Sequence, residues 1–235
     1  MSQTDHGLFM LDRPYTFINS AMSADGKIST KKRKQVKISG KTDFDRVDEL
    51  RASSDAVMVG IGTVLADDPS LTVKSEDRRK RRAIAGKDEN PVRIVVDSRA
   101  KTPLTADIFK KGTGKRIIVV SHRAPADRVD ALREKAEIIV AGQDEVDLKQ
   151  MSAELKKRGI SRLMVEGGAT LNYAMVNSRL VDEISVFVGN LIIGGKDAPT
   201  LMDGPGIDER SEAVELQLLK FEPMDEGIVL TWKVL

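Results

Sequence analysis

The 235-residue chain predicts an α/β fold: a mostly parallel central sheet flanked by helices, with an antiparallel C-terminal edge. Three observations lead there. Short β-branched runs alternate with helical stretches, the rhythm of strand–helix–strand units. Some runs are apolar throughout, such as AVMVG at 56–60 and RIIVV at 116–120, as strands covered on both faces are. The last two extended runs, at 214–221 and 228–234, lie too close for a crossover helix, so they pair antiparallel.

The elements follow in order. Residues 15–19 read as the first strand, and residues 42–54 as a helix with Thr42 and Asp43 as candidate caps. Further strands are predicted at 56–60, 91–97, 116–120 and 137–141, with amphipathic helices at 124–135 and 147–158. A strand at 162–165 leads into a helix at 169–177, and another strand covers 183–188. Residues 75–90 (SEDRRKRRAIAGKDEN) break the rhythm and read as a solvated, mobile loop. Residues 31–37 (KKRKQVK) form a second basic patch, suited to steering a phosphorylated ligand. The Gly/Pro-rich stretch 189–206 has the length of a lid or binding loop. No internal repeat is present.

Composition narrows the function. Net charge is only +2, without the dominant basic surface of an obligate nucleic-acid binder. There is no cysteine and there are only two histidines, which removes disulfides, Cys-ligated zinc, thiol catalysis and a His-rich metal centre. No stretch reaches the roughly 18 apolar residues of a membrane span, and residues 1–15 lack a signal-peptide pattern. A cytoplasmic protein without nucleic-acid or membrane partners is expected.

Some junctions carry candidate chemistry. In 165–172 (VEGGATLN) a strand ends in a glycine pair and a helix starts at once. That geometry offers free backbone N–H groups and a helix dipole to an anion such as a nucleotide diphosphate; it is also ordinary αβ punctuation. In 59–71 (VGIGTVLADDPSL) a strand ends at Gly60 and a short helix starts near Thr63. Asp67 and Asp68 read either as a carboxylate pair for acid–base work or as the turn that precedes Pro69. Nothing else completes a metal cage, so no metal is expected. Ser98 and Arg99 follow a strand end and suit a phosphate monoester such as the 2′-phosphate of NADP, or a surface turn. The 19–26 turn (NSAMSADG) can sit against a flat ring. No G-x-G-x-x-G follows the first strand, which argues against a standard dinucleotide fingerprint.

Together NSAMSADGKIS, ELRASSDAVMVGIGTVLADDPSLTV, NPVRIVVDSRAKTPL, LMVEGGATLN and LVDEISVFVGNLIIGGKDAPTLMDG closely resemble the riboflavin-pathway reductases. That family comprises the reductase module of the bacterial bifunctional deaminase–reductase and its stand-alone archaeal and fungal relatives; the archaeal members are most similar. The resemblance covers about residues 13–235, leaving 1–12 as an N-terminal extension to a single reductase domain. It implies a dihydrofolate-reductase-like fold, NADPH as cofactor and a homodimer, to which the apolar run 184–193 is a candidate contributor. The implied reaction reduces the ribosylamino group of 2,5-diamino-6-(ribosylamino)-4(3H)-pyrimidinone 5′-phosphate to a ribitylamino group. The deaminated uracil analogue is the alternative substrate. The family's deaminase half needs cysteine ligands, which this chain lacks.

Carried over by motif, Thr63, Asp67, Ser98, Arg99, Gly167, Gly168, Ala169 and Thr170 are expected at NADPH. Asn19, Asp25, Arg51, Leu71, Lys74 and Glu166 are expected at the substrate, with Ser23 beside them in the first-strand loop. Glu166 and Asp67 are the candidates for assisting protonation. Lys74 stands where arginine is common in the family; it keeps the charge and loses the bidentate fork. Gln35 and Lys37 depart from the bacterial pattern, and no role is carried to them. A nucleic-acid-binding protein using the two basic runs is the competing reading from another class.

Overall fold

The computed structural model describes residues 12–34 and 36–235, so the expected extension at 1–12, except Asp12, and Gln35 lie outside the described residues. The strands are β1 (Tyr15–Met22), β2 (Ala56–Gly60), β3 (Val92–Val96), β4 (Arg116–Val120), β5 (Glu137–Val140), β6 (Arg162–Val165), β7 (Glu183–Val188), β8 (Leu216–Met224) and β9 (Gly227–Val234). The helices are α1 (Lys41–Ser53), α2 (Ile61–Asp67), α3 (Glu76–Ile84), α4 (Asp107–Lys110), α5 (Ala126–Arg133), α6 (Leu148–Lys157) and α7 (Ala169–Asn177).

Among the described residues all strands join one nine-stranded sheet in the order β5-β4-β3-β2-β6-β1-β7-β9-β8. The pairs from β5 through to β7 are parallel, and β7–β9 and β8–β9 are antiparallel. The expected architecture is therefore the one observed. The apolar runs of β2, β3 and β4 are buried on both faces, which a parallel sheet between helix layers requires. One face packs Met151 and Leu155 of α6 and Leu171 and Met175 of α7. The other packs Val47 and Leu50 of α1, Ile108 of α4, and Val129 and Leu132 of α5.

Local signals explain most helix ends. Asp147 caps α6 by accepting from the Lys149 and Gln150 N–H groups. α2 ends at Asp67 because Asp68 turns left-handed (φ 42°) before Pro69, which disfavours a helical residue ahead of it. α2 starts at Ile61 rather than near Thr63, so Thr63 lies inside the helix and is not its cap. Thr42 and Asp43 do not cap α1 either. Their N–H groups donate to the Asp225 carboxylate, at 3.1 and 2.9 Å, from the turn between β8 and β9. A cap supplied from so far along the chain has no local sequence signal.

The segment 75–90 is not a mobile loop. Ser75 caps α3, Glu76 and Asp77 sit in its first turn, and Arg81 and Arg82 in its last, matching the helix dipole. Its cations are engaged within the fold: Arg78 pairs with Asp45, Asp48 and Glu49, and Arg81 with Glu49. Arg82 is buried and donates to the Ala52, Ser54 and Asp88 carbonyls. The basic run reads as polar in sequence because its partners lie on α1, 29 to 33 positions away.

Candidate functional site

The strand order creates the site. After β1 the chain crosses through α1 to β2, and β3, β4 and β5 continue outward. β6 then returns to fill the gap between β2 and β1, and β7 lies beyond β1. Successive connections thus leave in opposite directions around β6 and β1, and a crevice opens at the carboxyl ends of such strands. The segment Glu166-Gly167-Gly168 emerges there, with the Glu166 N–H donating to the Met58 carbonyl and the Gly60 N–H to the Gly167 carbonyl.

Two cavities meet at this point, one of about 450 Å³ and the other of about 590 Å³. Ile28, Thr63, Asp67 and Gly168 line both and form the boundary between them. The first cavity runs over the α2 and α7 N-termini to the loop after β3, past Ser98, Arg99, Ala169 and Thr170. The second runs under the β1 end, past Asn19, Glu166, Gly167, Lys37, Ile38 and Phe44.

The first cavity is lined by glycine, alanine, serine and threonine positions together with apolar and charged side chains. Gly167 and Gly168 adopt φ of 114° and 94°, which L side chains rarely adopt, and this turns the chain sharply from β6 into α7. A Cβ on Gly168 would lie 3.4 Å from Thr63 Oγ1, so glycine also permits the close approach of α7 to α2. No side chain caps α7, which leaves its first N–H groups without an intrahelical partner. At the far end, the buried Asp97 carboxylate accepts from the Thr102 N–H and hydroxyl, both at 2.7 Å, and shapes the 97–102 loop. That loop carries Ser98, Arg99 and Lys101 into the cavity lining, and Arg33 of the 31–37 patch joins them. Ser98 Oγ accepts from the Val146 N–H at 3.0 Å, so its own proton is free to donate outward.

The second cavity has a mixed lining, in which Asn19 and Glu166 are each held by an arginine of α1. Arg51 of α1 grips Glu166 with both donors, Nε to Oε1 at 2.5 Å and Nη2 to Oε2 at 2.6 Å. Burial works against the Arg51 charge, but the Glu166 carboxylate more than offsets it and holds the guanidinium above its ordinary pKa. Glu166, with each oxygen already accepting, presents acceptor capacity to the cavity. Asp67, on the boundary, differs: it is an exposed residue, and partial desolvation of its carboxyl is the sole cause that shifts it above its ordinary value.

Four expected substrate residues line neither cavity. Arg51 stands behind Glu166. Leu71 is a core residue, 2% exposed, with a left-handed backbone (φ 53°). Lys74 Nζ donates to the Ser70 and Thr72 hydroxyls beside Arg51, which itself donates to the Thr72 carbonyl. Burial, then repulsion from Arg51 and Lys111, lowers the Lys74 ammonium below its ordinary value. Asp25 is held near pKa 2, first by the Ser23 hydroxyl and then by the Ile193 and Gly194 N–H groups. Its bonds tie the first-strand loop to the 189–206 stretch. That stretch is pinned further by Lys27 Nζ on the Ala198 carbonyl, the Ile28 N–H on Pro199, and Asn172 Nδ2 on Leu201.

Sequence reading missed Ile28 and Lys101 at the first cavity and Val36, Ile38, Ser39 and Phe44 at the second. Lys101 had a readable signal, two positions after Arg99 in the same strand-end loop. The others are ordinary apolar or small residues that only the crossing of 28–44 over the sheet end brings to the site. Among the described residues no cluster of metal-ligating side chains occurs, and no helix is long and apolar enough to cross a membrane.

Two adjoining cavities lie at a topological switch point, the place where α/β enzymes hold their ligands. The RibD C-terminal domain model matches residues 14–230, and the chain belongs to that family. It is 47% identical over 219 residues to the 2,5-diamino-6-ribosylamino-4(3H)-pyrimidinone 5′-phosphate reductase of Archaeoglobus fulgidus, covering 93% of this chain and 97% of that one. It is 46% identical over 222 residues to the enzyme of the same name from Methanothermobacter thermautotrophicus, covering 94% and 99%. A solved pyrimidine reductase-like protein from Corynebacterium diphtheriae shares the fold, with TM-score 0.80, 18% identity and coverage of 94% and 92%.

Proposed function

We propose that this protein reduces the ribosylamino group of 2,5-diamino-6-(ribosylamino)-4(3H)-pyrimidinone 5′-phosphate to the ribitylamino product, with NADPH in the first cavity and the pyrimidine in the second. The observation that carries this reading is the shared boundary. A hydride donor and its acceptor must lie in contact, and two cavities that share Thr63, Asp67 and Gly168 hold their occupants against one another. The names of the archaeal relatives agree with it.

The residues present fit the cofactor. The positive-φ glycine turn leaves no Cβ between the uncapped start of α7 and a diphosphate. Ser98, Arg99 and Lys101, with Arg33 opposite, supply donors and charge for a 2′-phosphate. Thr63 and Asp67 of α2 sit where the nicotinamide end would meet the second cavity. When bound, the cofactor supplies the hydride.

The remaining work falls to side chains of this chain. Asn19 and Glu166 orient the pyrimidine from the sheet end. Arg51 and Lys74 line neither cavity, so the cation available to the 5′-phosphate at the second cavity is Lys37. Asp67, with its raised pKa at the boundary, is the group placed to deliver a proton to the opening sugar. Glu166, engaged on both oxygens by Arg51, serves as acceptor rather than acid.

A homodimer is part of the proposal, with a different surface from the 184–193 run. β7 lies inside the sheet between β1 and β9, and Ile184, Val186 and Phe187 are buried. The edge strand β8 instead exposes Leu218, Leu219 and Phe221, a strip that a second copy would cover.

The test is NADPH oxidation with the diaminopyrimidine substrate, run beside the deaminated analogue. Turnover of the first with little of the second is expected. Turnover of the analogue alone would keep the reductase and replace the substrate; tight NADPH binding without turnover of either would overturn the substrate assignment.

A further inference from the structure

Behind Asn19, beneath the second cavity, lies a polar cluster centred on Arg46, to which the reaction assigns no role. Arg46 of α1 reaches toward the sheet with a side chain only 17% exposed. Its Nε donates to Asp43 Oδ1 at 2.8 Å, its Nη1 to Ser185 Oγ at 3.0 Å and its Nη2 to Asn19 Oδ1 at 2.9 Å. Asn19 and Ser185 are register partners on β1 and β7, so a single guanidinium fastens α1 across that strand pair. Asn19 is itself 6% exposed and lines the cavity.

We propose that Arg46 is a positioning residue that locks the Asn19 amide with its N–H groups toward the substrate, so that the site selects a heterocycle bearing a hydrogen-bond acceptor there. The argument is one of donor inventory. An asparagine amide can be turned either way, and its neighbours decide which. A guanidinium has five N–H donors and no acceptor, so Asn19 must offer it Oδ1. Nδ2 then faces away from Arg46, and among the described residues no acceptor engages it.

The next strand sharpens the reading. β1 and β6 pair Ile18 with Val165, so Glu166 follows beside Asn19, about 4.8 Å away by strand spacing. Arg51 makes Glu166 an acceptor just as Arg46 makes Asn19 a donor. α1 thus sets a donor next to an acceptor at the cavity floor. The complement is a ring edge with a carbonyl oxygen next to an N–H group. This deepens the pyrimidinone reading of the second cavity and rests on it.

The test compares variants in steady-state kinetics at saturating NADPH. Asn19→Asp, the same shape with the donor removed, is expected to raise the substrate KM about tenfold or more. Arg46→Lys keeps a charge near the buried Asp43 but loses the fork, and should raise KM in the same direction. Ser185→Ala, which removes a different Arg46 partner, should leave KM unchanged. NADPH affinity should stay within about twofold throughout. The Arg46→Lys/Asn19→Ala double variant should be no worse than Asn19→Ala alone, because Arg46 acts through Asn19.

Multiplying effects in the double variant, or an unchanged KM in Arg46→Lys, would overturn the proposal. A ligand-free readout separates it from the choice of substrate. In isotope-labelled protein the Asn19 side-chain amide signal should move in Arg46→Lys and stay in place in Ser185→Ala. If wild type turns over no pyrimidine but that signal behaves so, the substrate reading fails while the Arg46 lock stands; an unmoved signal sinks the lock itself.

Discussion

The two cavities offer an occupant different surroundings. The first is bounded by glycine turns, helix starts and a strand-end loop, with its cations at the rim. The second is bounded by carboxylate, amide and hydroxyl groups beside apolar side chains, and two of its groups, Asn19 and Glu166, are fixed by arginines of α1. Backbone recognition suits a cofactor whose diphosphate is the same in every turnover, because main-chain N–H groups need no support to keep their direction. Side-chain recognition suits a substrate that must be told from close analogues, but every such group needs a second residue to hold it. The difference teaches where each half is fragile: the first to backbone change, the second to loss of a supporting charge.

Gly168→Asp should break the first cavity most severely. It sets a carboxylate at the turn, where like-charge contact costs several kcal/mol, so NADPH affinity should fall about 100-fold or more by direct titration. The residue would also have to hold φ near 94°, which costs on the order of 1–3 kcal/mol and should lower Tm. Wild-type NADPH affinity in this variant would remove the diphosphate from that turn.

Arg51→Met attacks the second cavity through its support. An unpaired carboxylate at Glu166 should cost about 3–5 kcal/mol of stability and most of the turnover. Adding Glu166→Gln should recover much of the stability and little of the turnover. Recovery of both would mean that the pair only holds the fold.

Asp67 belongs to both regions, and its pH dependence sharpens the boundary. Its raised pKa keeps the proton to higher pH than an ordinary carboxyl. As proton donor it supports kcat below that pKa, and kcat falls as pH rises through it. Asp67→Asn should lower kcat by about 100-fold and flatten that limb. An unchanged profile would assign the limb elsewhere.

The smallest effect is expected at the exposed rim. Replacing Ser98 and Arg99 together by Ala should reduce the preference for NADPH over NADH about tenfold, with kcat for NADPH little changed. An unchanged preference would move the 2′-phosphate to Lys101 and Arg33.

Much of this was legible along the chain. Strand runs, the glycine pair before α7, the Asp-Asp-Pro stop of α2 and the antiparallel close are local signals: each depends on dihedral preference, burial pattern or loop length within a few residues. Ser98, Arg99 and the glycine turn were readable as strand-end positions, which gather at one rim of a parallel sheet, whereas Glu166 and the cofactor roles of Thr63 and Asp67 were implied only by the family resemblance. Other features had no local trace. The charged run 76–84 looks soluble until Asp45, Asp48 and Glu49 are set beside it. The α1 cap comes from Asp225, and Arg46 looks like any helix-surface arginine until Asn19 and Ser185 lie under it.

By itself, then, the sequence determined the elements, their class and the residues at the strand ends, because hydrophobic period and turn chemistry act over short distances. Only the tertiary structure decided that β6 enters between β2 and β1, that two cavities share one boundary, and that Arg46 holds Asn19 while Arg51 holds Glu166. Those depend on pairings between segments far apart in the chain. Strand insertion and buried charge pairing are settled by packing and desolvation, which no local pattern encodes.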